Sequence, residues 1–380
     1  MSRPRILCIS LSPIYRDSRV LRQIGILSEF ADVTTVGYGK RPAGASEHIE
    51  VPESLPSLPQ TVGGVLNLAL RRWQKSELAA PGVAFIAQAL RGRSFDLVVA
   101  NEARVLGLAF HLAQGAPVWG DMHEWAPEER THILSWRLLV APFMVHLCRK
   151  YLARCAAVTT ISDSTAALYA RDFAVEARVM RNSSPWRDLE PSPAEPGRIR
   201  LVHSGAAIHG RSLETMIDAV LQLDDRFSLD LYLVPGGDHG KYLDKLKARA
   251  QGSGRISFHP PVPPTDLPRT LNKYDVGLYW MAPSHPNNRF ALPNKFFDFV
   301  QARLAIAISP TIEMVNLVRK YELGVVGEGY TIDDCVKTLL SLTPDTVASA
   351  KVAAHAAAPA LSFDADADVA RDILTQHVPA

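Results

Sequence analysis

At 380 residues, with 47% hydrophobic and 21% charged side chains, the chain exceeds what one hydrophobic core usually supports and reads as two domains of roughly 150 to 200 residues. Its 41 basic and 39 acidic residues leave a net charge of +2, too balanced for a protein whose partner is the phosphate backbone of nucleic acid, so none is expected. No run approaches the roughly 18 to 20 apolar residues that span a bilayer, and Met1–Ser10 lacks the apolar segment and cleavage site of a signal peptide, so a cytoplasmic protein is expected.

Short β-branched runs alternate with amphipathic stretches, the signal for βαβ units and parallel sheets. In the first half, strands are expected near Arg5–Leu11, Val33–Tyr38, Phe95–Ala100, Pro117–Gly120, Ala157–Ile161 and Val179–Arg181. The first helix is expected over Arg19–Phe30, with Val20, Ile24 and Leu27 on its apolar side. Pro42–Gly64, rich in Pro, Gly and Ser, reads as a loop or lid. Residues 1–190 carry 22 basic and 18 acidic side chains, against 19 and 21 in the remainder. Arg130–Ser162 contains Arg130, Arg137, Arg149, Lys150 and Arg154 but no acid. These cations are interleaved with Ile133, Leu134, Trp136, Leu138 and Leu139. The stretch reads either as an amphipathic surface for anionic lipid or a lipid-diphosphate acceptor, or as helices with ordinary core faces.

Ser192–Gly197 has the composition of a linker. Beyond it, strands are expected near Ile199–His203, Leu229–Val234, Ile256–Phe258, Val276–Tyr279, Ala305–Ile308 and Gly324–Val326, with helices at Leu213–Gln222, Tyr242–Gln251 and Pro293–Ala302 and a helix cap at Thr331. Neither GxGxxG nor GxxxxGK[ST] occurs, which argues against a dinucleotide-dependent dehydrogenase and a P-loop NTPase. Cys8, Cys148, Cys155 and Cys335 form no CxxC pair and read as buried thiols. Asp364, Asp366 and Asp368 read as cap and solvated-helix residues, so no metal site is expected.

The most informative segment is FALPNKFFDFVQARLAIAIS, Phe290–Ser309. If Pro293 opens a helix, Asn294 and Lys295 sit in its first turn, where free N–H groups and the dipole favour an anion, and Asp298 lies one turn on. A phosphate-binding cation beside a ribose-binding carboxylate is one reading, a surface Lys/Asp pair the other. The segment resembles the donor-binding stretch of family 4 retaining glycosyltransferases of GT-B fold, in which a helix carries the second Glu of an E-x7-E motif. Asp298 falls at that position, which implies a ribose-binding role; Phe290 stands where the first Glu would be.

The resemblance extends to HSGAAIHGRSLETMIDAV from His203, where Gly205 matches a phosphate-approaching turn and Arg211 takes the place of a helix-start Lys. SPIYRDSRVLRQ is similar to the D-x-R-V opening of a glycosyltransferase subgroup, here Asp17–Val20, and DMHEWAPEE resembles a D-x-H-[ED] loop. It implies an α/β fold of GT-B type, with two Rossmann-like βαβ domains facing each other across a cleft. Residues 1–190 would bind the acceptor and 191–345 the nucleotide-sugar donor, with 346–380 returning to the N-terminal domain. It implies Gly205, Arg211, Asn294, Lys295 and Arg16 on the donor diphosphate, Asp298 on the ribose, and His123, Glu124 and Asp17 at the reacting centre. A glycosyltransferase is the leading expectation, with retention, no metal and no cofactor beyond the nucleotide-sugar co-substrate. Its acceptor would be a glycan, a lipid-linked sugar or a small molecule, and residues 130–155 would give peripheral contact with the inner face of the membrane. The departures from the pattern leave open a catalytically inactive GT-B binding protein or a sugar-nucleotide epimerase.

Overall fold

A computed structural model describes residues 3–283 and 286–379. The chain divides into two compact units: Met1–Arg181 with His285–Asn287 and Asp366–Ala380, and Asn182–Ser284 with Asn288–Ala365. The division falls nine residues before the expected boundary at 190/191, and the last helix, Phe363–His377, belongs from Asp366 onward to the first unit.

The first unit is built on seven parallel strands: β1 (Arg5–Pro13), β2 (Asp32–Tyr38), β3 (Glu47–Val51), β4 (Leu97–Asn101), β5 (Val118–Met122), β6 (Ala157–Thr160) and β7 (Arg178–Val179). Their order is β3-β2-β1-β4-β5-β6-β7, so the direction of winding reverses between β1 and β4. That reversal opens a crevice at the carboxyl edge, the usual ligand position in an open α/β sheet. β3 corrects the expectation of a loop over Pro42–Gly64. It is an edge strand, pairing only with β2 from Thr34↔Glu47 to Tyr38↔Val51, so its half-exposed sequence EHIEV shows no hydrophobic run. The end of the same stretch enters a further helix, Val62–Ala69, capped by the Thr61 hydroxyl.

The second unit repeats the order with six parallel strands: β8 (Ile199–Ala207), β9 (Phe227–Pro235), β10 (Ile256–His259), β11 (Val276–Tyr279), β12 (Ala305–Ile308) and β13 (Gly324–Val326), arranged β10-β9-β8-β11-β12-β13. The helix Asn294–Gln301 lies on this sheet through Phe296, Phe297, Phe299 and Val300, all fully buried. Gly277 in β11 permits that approach, because a Cβ there would meet the Phe299 ring at 2.3 Å. Pro293 is the extended residue before the helix rather than its first member, yet it starts the helix where expected. Thr331 caps the helix Ile332–Leu340 in a reciprocal box with Asp334.

One charged network ties the first sheet to its opening helix, Ser18–Phe30. Asp121, at the carboxyl end of β5 and fully buried, receives Arg19 Nε at 2.9 Å and Arg19 Nη2 at 2.6 Å, Thr159 Oγ1 at 2.6 Å and Gln23 Nε2 at 3.3 Å. Arg19 also donates to the Met180 carbonyl at 2.7 Å. Burial opposes charge on Asp121, but Arg19 and His123 beside it hold its carboxyl well below the usual carboxylate range. Asp366, expected to be solvated, is instead buried and paired with Arg181 at 2.8 Å. Cys8, Cys148 and Cys335 are buried free thiols and Cys155 is half-buried.

Removing one partner of a buried ion pair leaves an uncompensated charge in low dielectric. Asp121→Ala is therefore expected to cost about 3–5 kcal/mol in urea-induced unfolding, and a loss below ~1 kcal/mol would show that Arg19 finds another solvation.

Candidate functional site

The second unit holds a cavity of about 460 Å³ at the carboxyl edge of its sheet. The end of β8, the loop before the helix Leu213–Gln222 and the start of the helix Asn294–Gln301 bring Gly205, Arg211, Asn294, Lys295 and Asp298 to its wall. Five residues that the sequence reading assigned to the donor thus share one cavity. Asp298 accepts a hydrogen bond from the Ser184 hydroxyl, while Pro261, Val262 and Leu267 give an apolar side.

Gly205 has φ +144, and a Cβ built on it would stand 2.6 Å from Lys295 Nζ and 3.9 Å from Arg211 Nη1. The missing side chain is therefore what lets Lys295 approach this backbone, with Arg211 at ordinary contact distance beside it, and the backbone angle is itself one that L side chains rarely adopt. Lys295 is buried; its Nζ lies 3.0 Å from His203 Nε2 and 5.2 Å from the Tyr279 ring centroid. His203 Nδ1 sits 2.8 Å from the Leu278 carbonyl, an acceptor only, so it carries the proton and Nε2 accepts from the lysine. Burial, then the nearby Lys295 charge, keep His203 neutral. Burial and the Arg211 charge bring Lys295 down to about 7, only partly offset by Asp298. Among the described residues, neither Lys295 nor Arg211 makes an ion pair within 4.0 Å.

A second cluster lies at the carboxyl edge of the first sheet, after β4 and β5. His123 Nε2 is 3.0 Å from Asn101 Oδ1 and 3.4 Å from Asp121 Oδ2, and its Nδ1 is 3.8 Å from Glu102 Oε1. Desolvation works against the imidazolium, but Asp121 outweighs it and raises the His123 pKa. Glu124 accepts from Asn287 Nδ2 at 2.8 Å, and Asn287 also donates to the Trp125 carbonyl at 3.1 Å. Burial, then the Glu129 and Glu102 charges, push the Glu124 carboxyl up to about 7. The Tyr169 hydroxyl holds this loop, donating to the Glu124 carbonyl at 2.8 Å and accepting from Ala126 N–H at 3.2 Å.

Arg104 bridges Glu102 at 2.7 Å and Glu129 at 3.1 Å. Glu102 adopts φ 74 and ψ 155, a region reserved almost entirely for glycine, and such backbone strain gathers at functional sites. Glu102 and Arg104 were not read from the sequence; Glu129 entered that reading only as the end of the DMHEWAPEE loop, and Asn287 only as the start of a loop to Leu292 whose backbone N–H groups were expected near the donor sugar. For Glu102 and Arg104 the one local signal is their position just after a buried strand.

The remaining candidates have other surroundings. Asp17 caps the first helix, accepting from Val20 N–H at 3.3 Å and from the Ser12 hydroxyl at 2.9 Å. Arg16 is exposed in the first unit, its guanidinium 5.8 Å from the Tyr15 ring centroid, and is not a wall of the second-unit cavity. Among the described residues, no three His, Cys, Asp or Glu side chains are grouped as a metal would require.

Two measurements test these geometries. Gly205→Ala is expected to destabilise the second unit by about 1–3 kcal/mol, because the new methyl meets Lys295 Nζ and φ +144 is strained for alanine; unchanged urea unfolding would contradict the packing. For Glu124 the folded carboxyl is raised to about 7 from an ordinary 4.5, so native stability is full below the unfolded value and declines as pH rises towards 7. Glu124→Gln abolishes that decline. Relative to wild type it should gain about 2 kcal/mol between pH 4.5 and 8, the ~3 expected from the shift being reduced by screening at a partly exposed carboxyl.

No protein-family model matches the sequence, and no curated protein matches it. Solved structures do. Anabaena HepE in complex with UDP-glucose aligns at a TM-score of 0.69 with 15% identity, over 98% of this chain and 100% of that one. Trehalose-6-phosphate synthase from Burkholderia multivorans aligns at 0.69 with 13% identity, covering 99% of each chain. Sucrose-phosphate synthase from Thermosynechococcus elongatus aligns at 0.71 with 13% identity, over 98% and 99%. The two parallel sheets and their shared winding order are those of a two-domain α/β protein of GT-B fold.

Proposed function

We propose that the protein is a glycosyltransferase that moves a sugar from a nucleotide-sugar donor to an acceptor hydroxyl. The observation that carries this reading is the convergence of Lys295 and Arg211 on the bare backbone of Gly205, in a cavity that also has a carboxylate and an apolar side. Burial, then the Arg211 charge, depress Lys295, so the electrostatics of the site improve when an anion arrives. Asp298 would accept from the ribose, and Pro261, Val262 and Leu267 would flank the base. Structural neighbours bound to UDP-glucose and to UDP make a UDP-sugar the first donor to test.

Cleavage of the bond from the anomeric carbon to the phosphate oxygen builds negative charge on the departing diphosphate. Preorganised cations and the N–H groups at the start of the Asn294 helix stabilise that charge more as it develops, which lowers the barrier. In our reading the protein's own cations carry this load without a metal. The acceptor oxygen bonds to the anomeric carbon from the face the diphosphate leaves. The leaving oxygen keeps the bonding pair and takes the acceptor proton, so configuration is retained and no protein base is compulsory. His123, its imidazolium favoured by Asp121, would donate to a sugar hydroxyl, and Glu124, titrating near 7, would orient the acceptor hydroxyl. The acceptor is a glycan, a glycolipid or a small-molecule glycoside.

Titration calorimetry with UDP, GDP, ADP and TDP tests the donor site. Lys295→Met and Arg211→Met are each expected to weaken the preferred nucleotide about 10- to 100-fold, the usual worth of a charged hydrogen bond. Because the free lysine titrates near 7 and a bound diphosphate would raise it, wild-type binding at pH 8 should take up a proton and Lys295→Met should not. Failure of every nucleotide to bind, or unchanged binding in both variants, would overturn the assignment.

A further inference from the structure

We infer that the first unit docks on an anionic phospholipid bilayer through the helix Val62–Ala69 and the segment Ile133–Leu138. This rests on a surface separate from the donor and acceptor groups, so it stands whether or not sugar transfer is the activity. Fifteen large apolar side chains are exposed among the described residues, and seven of them fall on these two neighbouring elements. Val62, Val65, Leu66 and Leu70 come from the helix and the residue after it, with Val62 90% exposed. Ile133, Leu134 and Leu138 come from the second segment, whose short π-helix Trp136–Val140 packs against the Val62 helix. Seven scattered aliphatic residues would be unremarked, but contiguous exposed ones mark an interaction site.

Cations surround this patch. The sequence from Ser54 to Ser76 contains Arg71, Arg72 and Lys75 and no acid, and the structure brings it beside the acid-free stretch that starts at Arg130. A groove of about 610 Å³ lies between them, with Arg71, Trp73, Arg137, His146 and Arg149 on its walls. Glu77 neutralises Lys150 at 2.8 Å and bonds His146, so these two are not counted. Among the described residues, Arg71, Arg72, Lys75, Arg137 and Arg149 make no ion pair within 4.0 Å. Five uncompensated cations next to seven exposed aliphatic tips match a headgroup layer over acyl chains: the tips enter the hydrocarbon boundary and the guanidinium groups meet phosphates.

Other occupants fit less well. A symmetric contact with a second copy would set the same cations against themselves. Single-stranded nucleic acid is held by aromatic stacking platforms, and the exposed side chains here are aliphatic. Among the described residues no helix is long and apolar enough to cross a membrane; the association inferred is peripheral.

Flotation of the full chain with vesicles tests the inference, using phosphatidylcholine alone and equal parts phosphatidylcholine and phosphatidylglycerol. Binding is expected to the anionic vesicles, at least about tenfold stronger than to the neutral ones and weakened by salt. Leu66→Asp/Leu134→Asp and Arg137→Glu/Arg149→Glu, all at exposed positions, should each lower the partition coefficient at least about tenfold while leaving the melting temperature within a few degrees of wild type. Absence of vesicle binding, equal binding to both vesicle types, or wild-type binding by both stable variants would overturn the proposal. So would single-stranded DNA competing the chain off anionic vesicles completely, which would reassign the surface to nucleic acid.

Discussion

Burying charge at the carboxyl edge of a parallel sheet is the constraint on which both units are built. Strand ends, helix starts and crossover loops converge there, so charged groups drawn into it lose water and must be repaid by neighbours. The first unit repays with matched charge: Arg19 forks onto Asp121, and Thr159 and Gln23 complete its acceptor shell. The second unit does the opposite. Lys295 and Arg211 approach the same glycine, and the buried lysine leans on a neutral imidazole and an aromatic ring instead of a carboxylate. In the first unit charge is matched within the fold, whereas the like charges of the second would be matched only by an anion such as the proposed donor diphosphate.

That contrast connects the Asp121 network to the chemistry beside it. Asp121 pins the opening helix and simultaneously raises His123, while the same burial without a matching cation raises Glu124. Two adjacent loop residues are thus both raised above their ordinary values, for different physical reasons. The strained backbone at Glu102 and the Tyr169 brace on the loop show what is spent to keep these groups in position.

The surface proposed to meet a bilayer follows a different rule. It involves no buried charge: its cations are solvated and its apolar tips are exposed, so its energetics belong to association rather than to folding. Helix Val62–Ala69 carries no charged side chain, and the cations it needs come from the next turn of chain and from residues some 70 positions later.

The sequence by itself determined the alternation of strands and helices, and therefore the parallel sheets, because buried β-branched runs such as Ile6–Ile9 and Ala305–Ile308 have few other uses. It also named most of the cationic cavity: helical spacing puts Lys295 and Asp298 one turn apart, and a glycine just before a basic helix start is a local signal. Tertiary structure alone decided the rest, for physical reasons that spacing does not carry. Edge strand β3 has no hydrophobic run because only one side of it pairs. Asp17 and Arg19 are two residues apart, yet one caps a helix and the other pairs with a carboxylate about a hundred residues away. Glu124 is raised by its burial and by Glu129 and Glu102 beside it, none of which its place in the loop sequence shows. Pairing, burial and like-charge proximity are properties of neighbours in space, and those neighbours are brought together only when the sheet closes.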